Sequence, residues 1–271
     1  MNSSDVVLPK SDPPLQETLI AGTRLTFTDE GSKAAPVFFA VHGVPGSVRD
    51  FRYLSPPLLR FARIIRVDLP GSGGSAPRRA ALRSLEERAR TVLTLADQLG
   101  VNQFGVIGHS MGGGTALVMA SMAPGRASHL VMIAPMGLRR HRGLSQTARF
   151  FRAIAFGLRV PGVRDVLLSR IRPSYRKKRF PGADEMTADE FALQFDSFGA
   201  ADYSVLNRAV AKPLPSKVLV ALAADDHLVE PEIPTELAAA IPGARILRFE
   251  NGGHIIQKTK APEIAQAIGD L

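Results

Sequence analysis

Residues 106–115 read VIGHSMGGGT, which sets Ser110 between Gly108 and Gly112 in a G-x-S-x-G arrangement. A serine hydroxyl is a weak nucleophile near neutral pH. To attack a carbonyl it needs a base within hydrogen-bond reach and a carboxylate that orients that base. Two later stretches offer these groups. Glu250-Asn251-Gly252-Gly253-His254 carries His254 behind a glycine pair that leaves its aim free, and Ala224-Asp225-Asp226-His227-Leu228-Val229 carries two adjacent carboxylates. The chain holds no cysteine, so a thiol nucleophile, thiolate metal sites and disulfides are all excluded.

These side chains act together only if the backbone aims them. A strand over 103–107 runs into Ser110 and a helix over 111–122 leaves it, the strained strand-to-helix turn that lifts a hydroxyl above a sheet. Gly108 and Gly112 are then expected where backbone meets backbone. A hairpin over 18–28 turns at Ala21-Gly22, and further strands are expected at 36–41, 63–67, 129–134, 217–222 and 245–249. Helices are expected at 84–99, where Leu85, Ala89, Val92, Leu93, Ala96 and Leu99 share a face behind a Ser84/Glu87 capping pair, at 232–240, and from about Pro262. This alternation predicts an α/β fold, a mainly parallel sheet flanked by helices, with the chemistry in loops at the carboxyl ends of the strands.

Taken together, the motifs resemble the α/β-hydrolase superfamily over residues 18–271. Ala40-Val41-His42-Gly43-Val44-Pro45-Gly46 is similar to its oxyanion-loop H-G-x-P-G, and Asp68-Leu69-Pro70-Gly71-Ser72-Gly73 to its D-x-P-G-x-G segment; the serine elbow, a D-x-x-V acid loop and G-G-H complete the set. The resemblance implies that Ser110 is the nucleophile, His254 the general base and then acid, and Asp226 the orienting carboxylate, preferred over Asp225 by the D-x-x-V register. It also implies an oxyanion hole made by the amides of Val44 and Met111; Pro45 has no N–H to give. One departure is Ala223-Ala224, where many relatives carry glycine. Some relatives place the acid after the preceding strand, but Ala134-Pro135-Met136-Gly137 has no carboxylate. Serine at position 110, where haloalkane dehalogenases and epoxide hydrolases carry aspartate, argues against their chemistry.

The implied activity is that of a capped, esterase- or lipase-like serine hydrolase, cleaving a carboxylic ester or related acyl bond through an acyl-enzyme, with no cofactor or metal. C–C bond hydrolysis, acyl transfer, perhydrolysis, hydroxynitrile cleavage and a ligand-binding receptor are the alternatives. His42 and His109 read as structural, His129 and His141 as incidental, and His227 as solvent-facing. Gly71-Ser72-Gly73-Gly74 lacks the lysine of a phosphate-binding loop.

The net charge of +9 is unevenly placed. Residues 137–212 hold a net +8, and from Leu138 to Phe180 there are 13 basic residues against the single acid Asp165. The expected organisation is a mobile segment at 1–17, a core made of 18–136 and 213–271, and a basic helical cap inserted at 137–212. Within it, the apolar Phe150, Phe151, Ile154, Phe156 and Leu158 are expected on a pair of helices facing a pocket, which suits a small, hydrophobic ester substrate. The arginines are expected outside, in solvent, and an anionic membrane surface is the alternative partner they suit. No motif that reads DNA or RNA accompanies them, so nucleic acid is not expected. Without a signal-peptide-like start or an apolar run of membrane-spanning length, a cytoplasmic location is expected.

Overall fold

The computed structural model describes residues 12–75, 84–177, 184 and 186–271. Among these residues eight strands occur in chain order: β1 (Gln16–Ile20), β2 (Thr23–Glu30), β3 (Val37–Val41), β4 (Arg63–Val67), β5 (Phe104–His109), β6 (Ala127–Ile133), β7 (Lys217–Ala223) and β8 (Arg245–Phe249). The helices are α1 (Ser55–Leu58), α2 (Leu85–Gln98), α3 (Met111–Met122), α4 (Ala148–Gly157), α5 (Val163–Lys177), α6 (Ala188–Gly199), α7 (Tyr203–Val210), α8 (Glu232–Ala239), α9 (Ile256–Thr259) and α10 (Ala261–Gly269). The strands form one sheet ordered β1-β2-β4-β3-β5-β6-β7-β8. β1, β2 and β4 pair antiparallel and every later pairing is parallel, so the fold is the expected α/β architecture.

That order reverses at β3, which lies between β4 and β5. The loops leaving β3 and β5 therefore diverge from adjacent strand ends, the position at which open α/β sheets bind ligands. The central strands are buried on both faces, and β3 accordingly reads as an unbroken apolar run. In β4 this extends to two arginines. Arg63 donates two hydrogen bonds to Asp29, at 2.7 and 2.8 Å, and Arg66, 1 % exposed, reaches Glu30 at 2.7 Å and the Val48 carbonyl at 2.9 Å. Paired in this way, a buried guanidinium is tolerated that would otherwise cost several kcal/mol (~). Ser84 begins α2 by accepting a hydrogen bond from the Glu87 amide at 3.2 Å.

The chain divides into two compact units, one made of residues 1–143 and 202–271 and the other of 144–201. The sequence-based limits of the insertion, 137 and 212, differ from these, and the contacts explain the difference. Arg139 makes a two-pronged ion pair with Glu236, the Arg142 amide donates to Glu230, and Asn207 donates to the Leu138 carbonyl at 2.9 Å. With α7 packed on α3, residues 137–143 and 202–212 are part of the first unit. At the other end, part of the segment expected to be mobile, 1–17, makes defined contacts. Asp12 pairs with Arg49 and Arg66, and β1 starts at Gln16; residues 1–11 lie outside the described residues.

Among its described residues the second unit contains three helices, α4, α5 and α6, where a pair was expected. Thr187 and Glu190 form a reciprocal capping box at the start of α6. Its apolar Phe191, Phe195 and Phe198 follow, with Phe151–Phe198 ring centroids 5.5 Å apart and Tyr175–Phe191 5.2 Å apart. Arg159 ties the end of α4 to Asp196 of α6 at 2.6 Å. Of the five apolar residues expected to face inwards together, Phe151 and Leu158 are buried, whereas Phe150 and Phe156 are exposed. Phe156 lies nearly opposite the buried Leu158 on the turn, so the inward face of α4 is narrower than its composition suggests. No helix among the described residues is long and apolar enough to cross a membrane.

Candidate active site

Ser110 follows β5 and precedes α3 with φ 55° and ψ −121°, a region that side chains rarely occupy. Such strain costs roughly 1–3 kcal/mol and persists only where the surroundings hold it. Here both peptide groups are held: the Ser110 amide donates to the Ile133 carbonyl at 3.0 Å, and the Ser110 carbonyl accepts from Met136 at 3.1 Å and Gly113 at 2.9 Å. The two flanking glycines are sterically required. A Cβ at Gly108 would stand 2.1 Å from the Gly112 carbonyl oxygen, and one at Gly112 2.1 Å from that of Val41.

The side chains singled out from sequence come together. His254 Nε2 lies 2.9 Å from Ser110 Oγ, and His254 Nδ1 lies 2.8 Å from Asp226 Oδ2. The other Asp226 oxygen accepts the amides of Leu228 at 2.8 Å and Val229 at 3.0 Å. Burial alone would push the Asp226 carboxyl up, but the His254 hydrogen bond, the His254 charge and those two amides outweigh it and hold the group below its ordinary value. Asp226 is therefore a carboxylate across the neutral range.

Three neighbours hold this arrangement, and none was given that part from sequence. Asp225, the rejected candidate, accepts the amides of Gly252 at 3.3 Å and Gly253 at 2.8 Å, and so fixes the loop that presents His254. Its signal was the adjacent pair Asp225-Asp226 itself, since each carboxylate faces a different part of the same loop. His109 Nε2 lies 2.9 Å from the His254 carbonyl, where its N–H donates. Burial, with the His254 charge next, lowers the His109 ring to about 3, so it stays neutral. His141, read as incidental, is buried and donates from Nδ1 to the Leu228 carbonyl at 3.0 Å, bracing the acid loop.

The loop after β3 is braced from below. His42 Nδ1 donates to the Gly43 carbonyl at 2.7 Å while Nε2 accepts the Leu69 amide at 3.0 Å, so both ring nitrogens are occupied and the structural reading of His42 fits. Asp68, first residue of the D-x-P-G-x-G segment, accepts from the Val48 amide at 2.7 Å, Thr26 Oγ1 at 2.8 Å and the Gly74 amide at 2.9 Å. A Cβ at Gly73, where φ is +54°, would fall 2.3 Å from that carboxylate. Val44 is joined to Pro45 by a cis bond. The Val44 amide makes no hydrogen bond among the described residues, and Met111, first in its helix, has no intrahelical acceptor for its N–H.

Beside this loop, Asp50 presses on Gly46, where a Cβ would stand 2.5 Å from Asp50 Oδ2. Burial drives its carboxyl from the ordinary 3.8 up to about 7, opposed by the Ser47 amide and reinforced by the Asp68 charge. Because the folded value is the higher one, folding takes up a proton between about pH 4 and 7, and stability declines as pH rises through that window. Asp50→Asn should flatten this decline, by at most ~1.4 kcal/mol per pH unit. Thermal melts of both proteins from pH 5 to 8 check it; parallel curves would show that Asp50 is ionised throughout.

Residues 37–267 match the family model described as "Alpha/beta hydrolase family", and the chain belongs to that family. It is 30% identical over 249 residues to a dihydrolipoyllysine-residue acetyltransferase component of an acetoin cleaving system from Cupriavidus necator, a match covering 89% of this chain and 64% of that protein. The chain thus spans less than two thirds of that relative's length. A 2-hydroxymuconate semialdehyde hydrolase from a Pseudomonas species is 26% identical over 280 residues, covering 97% and 95% of the two chains. Among solved structures, an enol-lactonase from Burkholderia xenovorans superposes with a TM-score of 0.75 at 21% identity, covering 94% and 98%.

Proposed function

We propose that the chain is a serine hydrolase that cleaves a carboxylic ester or related acyl bond through an acyl-enzyme. The observation carrying this reading is the unbroken path from Ser110 Oγ through His254 to Asp226, with contacts of 2.9 and 2.8 Å. The ionised Asp226 holds the His254 proton on Nδ1 and leaves Nε2 free to accept. Ser110 Oγ attacks the substrate carbonyl as His254 takes its proton. The amides of Val44 and Met111 receive the developing oxyanion, a contribution worth roughly 3–4 kcal/mol per donor. Collapse of the tetrahedral intermediate expels the leaving group, which His254 protonates; water, deprotonated by His254, then releases the acid and restores Ser110.

A second reading, C–C bond hydrolysis, is favoured by similarity to a 2-hydroxymuconate semialdehyde hydrolase along nearly the full length of both chains. The same three side chains would serve it. Turnover of p-nitrophenyl esters from acetate to laurate, set beside turnover of 2-hydroxymuconate semialdehyde, separates the two. The ester reading expects activity on the series with a preference for medium or long apolar acyl groups. A rate highest at acetate would contradict the hydrophobic substrate, and turnover of the semialdehyde alone would replace the ester reading.

A further inference from the structure

We propose that the second unit carries a docking surface for an anionic lipid bilayer, made by α4 and the first turns of α5. Among the described residues only eight large apolar side chains are exposed, and four of them, Phe150, Phe156, Val163 and Val166, fall within these two helices. Phe156 is 70 % exposed, and Val163 and Val166 are 46 % and 53 % exposed. The helices meet beside them: a Cβ at Gly157 would lie 2.7 Å from Leu167 Cδ1 and 3.3 Å from Val163. Phe156 and Val163 therefore flank one corner.

The charge around that corner is almost entirely of one sign. On α4, Arg149, Arg152 and Phe156 recur at three- and four-residue spacing and share the exposed face. On α5, Val163, Val166 and Arg170 do the same, and Lys177 stands two turns further along that face. Arg159 and Arg176 are neutralised by Asp196 and Asp184. Arg149, Arg152, Arg170 and Lys177 make no ion pair among the described residues, and Asp165 is the single acid on either helix.

Exposed apolar side chains set among unpaired cations match a bilayer interface. The rings and valines enter the headgroup and acyl boundary, while the long basic side chains remain among the lipid phosphates. Nucleic acid would use the charges but leave Phe156, Val163 and Val166 facing water. The bilayer accounts for both halves of the surface.

The test is co-sedimentation of the full chain with vesicles of phosphatidylcholine alone, or with about one third phosphatidylglycerol, at low and high salt. Binding is expected to the anionic vesicles and to weaken with salt. Each basic residue near such a surface contributes about a fivefold factor, so Arg149→Gln with Arg152→Gln should weaken partitioning by more than about tenfold. Phe156→Ser should weaken it several-fold in a manner that salt does not mimic. Neither variant touches the triad, so ester turnover in vesicle-free buffer should be unchanged, which also shows that they fold. Equal binding to both vesicle types, no binding to either, or variants that bind like the parent would overturn the proposal. So would a short DNA duplex that displaces the vesicles and binds the Phe156→Ser protein undiminished.

Discussion

Ser110→Ala is expected to lower kcat by about 10⁴ to 10⁶, with little change in KM or melting temperature. The size follows from its place at the head of the relay. Without Oγ, neither His254 nor the Val44 and Met111 amides has a covalent step to assist, and what remains is binding plus weak polarisation of the carbonyl. The structure should tolerate the change. The elbow is fixed through its backbone, by the Ile133, Met136 and Gly113 contacts, and among the described residues the side chain bonds only to His254. Circular dichroism and a melt beside the rate assay check this, and a variant that keeps a tenth of the parent's kcat would remove Ser110 from the mechanism.

The second large effect separates two adjacent carboxylates. Asp226→Asn should cost about 10⁴ in kcat, because an amide in that place no longer holds the His254 proton on Nδ1 and Nε2 loses its acceptor role. Asp225→Ala should do much less. It releases the Gly252 and Gly253 amides and lets the histidine loop drift without altering its tautomer, so a loss nearer tenfold is expected. The pH profile discriminates further. Asp225→Ala should retain the parent's pH profile, whereas Asp226→Asn should alter it, because only Asp226 sets the tautomer of His254. If Asp225→Ala proved the more damaging, the assignment of the two residues would be reversed.

Much of this was legible in the sequence, for reasons tied to particular residues. Gly108 and Gly112 could be read because no other residue fits where a Cβ would stand 2.1 Å from a carbonyl. The strands around them were legible because burial on both faces demands continuous apolar runs. The hydrogen-bonded neighbours were not. Nothing local to His141 indicates that its ring meets Leu228, 87 residues away, or that His109 meets the carbonyl of His254. The limits of the second unit were also hidden. Residues 137–143 share its basic composition but are held to the first unit by Arg139, His141 and Arg142. Composition marks a segment's chemistry, whereas pairing over long separations decides where it belongs. Phe156 shows the same limit: its type suggested burial, and its position on the turn of α4 exposes it.

Reaction with a fluorophosphonate tests the central proposal most directly, because it needs a Ser–His–Asp nucleophile and no knowledge of the natural substrate. Intact-protein mass spectrometry should show one adduct per chain, and peptide mapping should place it on Ser110. Labelling should be absent in Ser110→Ala and strongly slowed in His254→Ala. A folded protein that stays unlabelled, or one labelled at another serine, would contradict the account.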